Sequence, residues 1–123
     1  MKIIRKKDIE IKNREDGRIV VYYPSFDIPD GTKQIGFITV DTPRGCKEDK
    51  HKHPVSTEIF YHLTPGKIKV NDKIHLIEAG DIVVLEPGDE HKQIADEEIK
   101  IIALRIPFSL DKEYVEDKEN GNC

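Results

Sequence analysis

Two of the chain's five histidines, His51 and His53, stand one residue apart in the stretch GCKEDKHKHPVSTE, residues 45–58. If this stretch is extended, its side chains alternate between two faces, so both imidazoles point one way and Lys52 points the other. Glu58 follows a short turn and opens the next apolar segment, which returns a carboxylate beside the imidazoles. Two histidines and one carboxylate, with coordination positions left over, form a facial arrangement that binds divalent transition metals.

A fourth ligand is available in His91, within LEPGDEHKQ, where a ProGly turn precedes the histidine. Imidazole and carboxylate ligands suit Mn, Fe, Ni, Co or Zn, and the absence of cysteine ligands argues against a closed structural zinc site. A single HxH in a lysine-rich loop also fits an ordinary solvated loop. The loop is the simpler interpretation of HKH alone, and Glu58 makes the two interpretations equally good.

The elements that must position these residues are predicted to be strands. Segments rich in β-branched residues are separated by turn residues, and AsnAsp at 71–72 joins two of them as a tight hairpin. Many short strands at close spacing indicate an all-β sandwich or barrel. The predicted strands are RIVVYY (18–23), KQIGFITV (33–40), EIFYHL (58–63), KIKV (67–70), KIHLI (73–77), DIVVLE (81–86) and EIKIIALRI (98–106).

Composition restricts the class of protein. The chain has 123 residues, 37% hydrophobic and 36% charged, which predicts one folded domain with a highly charged surface. A net charge of −4 with interleaved signs offers no broad basic face, so no nucleic-acid partner is expected. No apolar run predicts a membrane span or a signal peptide. We expect a cytoplasmic protein with Cys46 and Cys123 as reduced thiols, and the Lys, Glu and Ile content is typical of thermophiles.

Two motifs resemble those of the cupin superfamily. The first runs Gly, five residues, His-x-His, three or four residues, Glu, six residues, Gly, and the second runs Gly, five residues, Pro-x-Gly, two residues, His, three residues, Asn. The first motif departs at its last glycine, where this chain has Pro65 and the glycine, Gly66, comes one residue later. The second motif departs at two positions: Glu86 replaces its proline and Ala95 replaces its asparagine. The matching residues are Gly45, His51, His53, Glu58, Gly80, Gly88 and His91.

The resemblance implies a single-domain double-stranded β-helix, or jelly-roll barrel, over residues 1–107, with the motifs at 45–66 and 80–95. It implies one divalent transition metal per chain, and small cupins commonly form homodimers. Residues 108–123 are charged with few apolar anchors, and we expect a loosely ordered C-terminal tail. The implied metal ligands are His51, His53, Glu58 and His91.

For function, the resemblance implies a metalloenzyme acting on a small polar or anionic substrate. Isomerisation of a sugar or sugar phosphate, dioxygenation and decarboxylation all fit, because the fold does not choose among them. The alternative is a non-catalytic module that binds or senses a small ligand. A third possibility is a structural cupin without metal.

Three further positions are candidates for roles around the metal. Strand alternation puts His62 on the face of Glu58, either as an acid–base group or extra ligand, or as a polar filler bonded to a neighbouring strand. Gln93, two residues beyond His91, is predicted to contact substrate. Cys46 is predicted to be a spectator. The lysines at 47, 50 and 52 could attract an anionic substrate, but a solvated rim is favoured because neighbouring acids offset their charge.

Overall fold

A computed structural model describes residues 4–26 and 34–117 of the chain as two facing antiparallel sheets. One sheet has six strands in the order β1-β2-β3-β10-β5-β8, and the other has five in the order β11-β4-β9-β6-β7. The strands are β1 (Ile11–Asn13), β2 (Ile19–Tyr22), β3 (Gly36–Thr42), β4 (His51–Lys52), β5 (Thr57–His62), β6 (Gly66–Val70), β7 (Lys73–Ile77), β8 (Ile82–Leu85), β9 (His91–Ile94), β10 (Ile99–Ile106) and β11 (Glu113–Tyr114).

The all-β prediction is confirmed, and each of the seven predicted segments contains a strand. Residue 33, at the start of one segment, lies outside the described part of the chain. Within the described part the helical structure is one 3₁₀ turn, Lys6–Asp8, and no helix there is long and apolar enough to cross a membrane. The interleaved strand order, in which β10 lies between β3 and β5, gives a jelly roll.

Alternation along β5 shows how the sheets enclose their interior. Glu58, Phe60 and His62 are buried, whereas Tyr61 between them is exposed. Phe60 belongs to an apolar core to which both sheets contribute, including Ile101 from β10 and Ile68 from β6. The same face that carries this core therefore carries Glu58, as the period-2 pattern predicted.

The hairpin predicted at 67–77 is present, with β6 paired to β7 from Gly66↔Ile77 to Val70↔Lys73. Its two turn residues, Asn71 and Asp72, have φ values of 47° and 67°, the left-handed conformation that two-residue hairpins require. Asn and Asp tolerate this conformation better than most residues, so the local sequence explains the turn.

The C-terminal segment 108–117 packs on the sheets. The backbone of Phe108 donates to Gln34 O at 2.9 Å, β11 pairs with β4, and Val115 N donates to Lys50 O at 2.9 Å. The expectation of a loosely ordered tail is therefore wrong for 108–117, because strand β4 offers a free edge that β11 covers. Residues 118–123 lie outside the described part of the chain.

Replacing Gly36 by alanine should weaken the docking of the C-terminal segment. A Cβ at this buried position would overlap the Phe108 ring. We expect a loss of about 1–3 kcal/mol in the free energy of unfolding, the usual cost of overpacking. Urea denaturation measures it, with Lys100→Ala, at an exposed site on neighbouring β10, expected to change stability by no more than about 0.5 kcal/mol.

Candidate metal centre

Three buried imidazoles converge between the sheets. His51 opens β4 and lies directly opposite His91, which opens β9, and His53 follows β4. One ring nitrogen from each lies within 4.8 Å of the other two. The ring centroids of His51 and His91 are 4.4 Å apart, and that of His53 lies 5.3 and 5.8 Å from them. His91, the fourth ligand suggested by the sequence, therefore lies beside the HxH pair.

The Nδ1 atom of each imidazole has an acceptor that fixes the ring. An N–H at Nδ1 satisfies each of these acceptors, and this tautomer leaves the Nε2 lone pair free for a metal. Gly88 supports the arrangement, because its left-handed backbone (φ 90°) turns the chain before His91 and its N–H donates to His53 O at 3.0 Å. The acceptors are Asp49 O for His51 (2.8 Å), Asp111 Oδ1 for His53 (3.0 Å) and Asp89 O for His91 (2.9 Å).

Glu58 faces the imidazoles with one oxygen and Arg105 with the other. Its Oε1 lies 3.2 Å from His91 Nε2 and 3.6 Å from His53 Nε2, while Oε2 accepts a 2.9 Å hydrogen bond from Arg105 Nε. Oε1 and these two Nε2 atoms are fully buried, and none makes a hydrogen bond with the described residues. Buried polar atoms are nearly always satisfied, so three such atoms facing one another suit a cation as their partner.

Electrostatics keep Glu58, His51 and His53 in the ionisation states that a cation requires. Burial alone would raise the pKa of Glu58, but His91, Arg105 and His53 together lower it to about 2. Burial, reinforced by the charges of His91 and Lys112, lowers the pKa of His51 to about 2. Burial also lowers the pKa of His53. Burial opposes protonation of His91 too, yet Glu58 outweighs it and raises the pKa, so this carboxylate strongly favours a positive charge beside it.

The residues therefore fit a divalent transition metal. Three imidazole nitrogens and one carboxylate oxygen are donors suited to Mn, Fe, Co, Ni or Zn. The three-histidine group alone can hold a metal ion.

Asp111 is a site residue that sequence reasoning missed. Its Oδ2 accepts hydrogen bonds of 2.9 Å from the backbone N–H groups of Val55 and Ser56, and its Oδ1 holds His53. Burial would raise its pKa, but these amides and His53 lower it to about 2, so it is a carboxylate. It lies 58 positions from His53 in a segment with no motif, so no local signal could have found it.

An inner cavity of about 60 Å³ adjoins the centre, and Gln93 lines it. The side-chain amide of Gln93 is buried, and neither its oxygen nor its nitrogen has a hydrogen-bond partner among the described residues. An amide that keeps its donor and acceptor available at a cavity wall suits contact with a small polar molecule. Glu48 also lines this cavity. Its Oε1 lies 3.3 Å from His51 Nδ1, and burial raises the pKa of the Glu48 carboxyl.

His62 lies at a distance from this cavity. It is fully buried and does not line the inner cavity, although Phe60 on the same strand does. A Cβ added at Gly66 would lie 3.3 Å from its ring, so the imidazole lies close to Gly66. Neither ring nitrogen has a hydrogen-bond partner in the described residues. The catalytic role suggested by the sequence stays a prediction.

The remaining sequence candidates lie away from the donors. Lys50 is buried, and its Nζ pairs with Asp72 Oδ1 at 3.0 Å. The Nζ of Lys52 lies 4.0 Å from Glu113 Oε2. Neither lysine lines the inner cavity. Cys46 is buried in the apolar core, and the expectation of reduced thiols stays a prediction. Cys123 lies outside the described residues.

The fold is similar to that of several solved structures. A variant of Streptomyces PAC13 with uridine superposes with a TM-score of 0.77 at 16% identity, covering 93% of this chain and 90% of that one. KdgF from Halomonas sp. gives 0.74 at 18% identity, covering 90% and 97%. An RmlC-like cupin from Shewanella frigidimarina gives 0.71 at 17% identity, covering 85% and 89%. No protein-family model matches the sequence, and no curated protein matches it.

These likenesses confirm the fold predicted from the two motifs. The chain has the jelly-roll fold of a small cupin, with a histidine cluster able to hold a metal ion.

Asp111→Asn should weaken metal binding without removing a ligand. The amide carries no charge to stabilise and orient His53, and loss of such a partner typically lowers metal affinity about 10–100-fold. Competition with a zinc-binding dye measures the affinity. Asp96→Asn, which neutralises an exposed carboxylate, is the matched control. Equal affinities in the two variants would show that Asp111 does not position the ligand.

His62→Leu should reduce the dependence of stability on pH. Burial lowers the pKa of His62 below its ordinary value of 6.5. As pH falls, His62 therefore binds a proton in the unfolded chain before it does so in the folded protein. The stability contributed by neutral His62 is complete above that value and is lost as pH falls below it. Between pH 6.5 and 5 the wild-type free energy of unfolding should therefore fall more steeply, by up to about 1.4 kcal/mol per pH unit. Urea denaturation of both proteins across this range checks it, and parallel slopes would contradict it.

Proposed function

We propose that this protein is a metalloenzyme of the cupin type that holds one divalent transition metal through His51, His53, His91 and Glu58 and acts on a small polar or anionic molecule. The observation that carries the proposal is the group of buried, unpartnered donor atoms, Nε2 of His53 and His91 and Oε1 of Glu58, at one point between the sheets. A purely structural core would satisfy such atoms or replace them with apolar groups.

Four protein ligands on a metal that prefers six leave about two positions for water or substrate. A bound divalent ion would polarise a carbonyl, carboxylate or hydroxyl oxygen of the substrate or lower the pKa of a bound water. The available positions support catalysis over simple ligand binding, because a binding pocket needs no metal with open positions.

The chain's own residues supply binding and orientation around the metal. Gln93 offers a donor and an acceptor on the cavity wall. Arg105 anchors one oxygen of Glu58 and so directs the other toward the histidines. Apolar side chains, including Phe60 and Ile101, form part of the inner cavity wall, and such low-polarity surroundings strengthen the polar contacts.

Isomerisation, dioxygenation and decarboxylation remain the reaction classes to test. Pac13 is described as a nucleoside dehydratase, and this likeness adds elimination of water to the panel and uridine to the candidate ligands. Non-catalytic sensing is the outcome if metal and ligand bind without turnover. Cytoplasmic location and a homodimer stay predictions.

Metal content tests the proposed ligands. We expect about one transition metal per chain, by elemental analysis after purification without chelators, in the wild type and in His75→Ala, which changes an exposed histidine on β7. The double substitution of His51 and His53 by alanine should lose nearly all of it. Removing the metal from the wild type should lower the melting temperature, since metal at 100 times its Kd stabilises a fold by about 2.7 kcal/mol. Stoichiometric metal in the double variant would contradict the assignment.

A further inference from the structure

We propose that the cavity beside the metal centre contains an anion subsite formed by Arg14, Arg105 and Lys112, and that the substrate carries a carboxylate or phosphate group bound there. This inference rests on the proposed function and specifies its substrate class. None of these three residues belongs to the two cupin motifs.

The wall of the inner cavity carries more positive than negative charge. Its cationic residues are Arg14, Arg18, Arg105 and Lys112, and its carboxylates are Glu48 and Glu58. A divalent metal would add to this excess. A small cavity with an excess of one sign of charge and low-dielectric walls concentrates ligands of the opposite sign.

The excess positive charge of the wall lies on particular residues. Arg18 is engaged by Asp16 at 3.0 Å and lies 3.8 Å from Glu48, so its charge is offset within the wall. Arg14 and Lys112, by contrast, have no carboxylate within ion-pair distance among the described residues. The Lys112 ammonium lies 5.1 Å from the centroid of the Tyr114 ring. Lys112 follows Asp111, the partner of His53, and lines the same cavity as His51 and Glu58, so its charge lies close to the metal donors.

Arg105 adds directional donors. A guanidinium has five N–H groups, and in the described structure only Nε is used, in the bond to Glu58. The remaining donors belong to a side chain that lines the inner cavity. Guanidinium donors match the paired oxygens of carboxylate and phosphate, so Arg105 can hold Glu58 and receive an anion at once.

The cavity geometry orients the ligand. The inner cavity is large enough only for a head group, but an outer cavity of about 320 Å³ shares four of its wall residues, Arg14, Arg18, Glu48 and Lys112. Glu15, Asp16 and Asp49 line the outer cavity alone. Arg14 and Lys112 line both cavities, so an anionic group bound by them would lie where the cavities meet, with the rest of the molecule in the outer cavity.

The test compares zinc-loaded wild type with the double variant Arg14→Gln/Lys112→Gln. Glycerate and glycerol 3-phosphate are titrated at low salt, with glycerol as the uncharged reference, and binding is followed by calorimetry and by backbone amide shifts around residues 14, 48 and 112. At least one anion should bind wild type more tightly than glycerol does, and the double variant should weaken that binding 10-fold or more. Preference for glycerate identifies a carboxylate ligand and preference for glycerol 3-phosphate a phosphate ligand.

The matched control is Arg44→Gln/Lys73→Gln, which removes one arginine and one lysine that are exposed and line neither cavity. It should bind the anion within twofold of wild type. Equal weakening in both double variants, or no preference for either anion over glycerol in wild type, would overturn the subsite.

Zinc content of each protein separates the subsite from the proposed function. Anion binding through Arg14 and Lys112 in a chain that retains no zinc would refute the proposed function and leave the subsite standing. Full zinc content, together with anion binding that is unchanged when Arg14 and Lys112 are replaced, would refute the subsite and leave the metal centre standing.

Discussion

The burial of one carboxylate governs the centre of this protein. Glu58 has 3% of its surface exposed, and a charge in that position is costly unless it is paired on every side. Arg105 satisfies one oxygen, and the imidazoles of His53 and His91 face the other. The two sheets meet at this contact, because Glu58 and Arg105 belong to the six-stranded sheet and His91 to the five-stranded one. Positions of the histidines, the cavity and the charged wall all follow from that pairing.

The surroundings of the donors show how a chain of this size fixes several polar groups in its interior. Each imidazole is anchored through Nδ1 by a group close in space, two of them backbone carbonyls two residues earlier in the sequence. Only His53 depends on a distant side chain, Asp111. The two local anchors come from the residues just before β4 and β9, whereas the distant anchor needs the C-terminal segment to lie along β4.

The same difference between local and distant contacts separates the residues that the sequence could predict from those that it could not. Strand alternation placed Glu58, Phe60 and His62 on one buried face, because it depends only on local periodicity. His91 was assigned to the pair at 51 and 53 through the resemblance of the two motifs to those of cupins, since the contact itself depends on the pairing of β4 with β9. Asp111, Arg105 and Lys112 could not be found in this way. Their approach to the centre depends on sheet order and on the docking of a charged segment whose composition resembles a solvated tail. Strands β9 and β11 were missed for a related reason, since HKQI and EY carry few apolar residues and form through pairing with their neighbours.

The link between His53 and Asp111 also sets an order of events during synthesis. Chains emerge from the ribosome N-terminus first, and the segment with both histidine motifs emerges well before residue 111. A nascent chain that stops short of this point has all four proposed donors but no carboxylate behind His53 and no closing strand along β4. A metal ion held by these donors would therefore reach its full affinity only when nearly the whole described chain has been made.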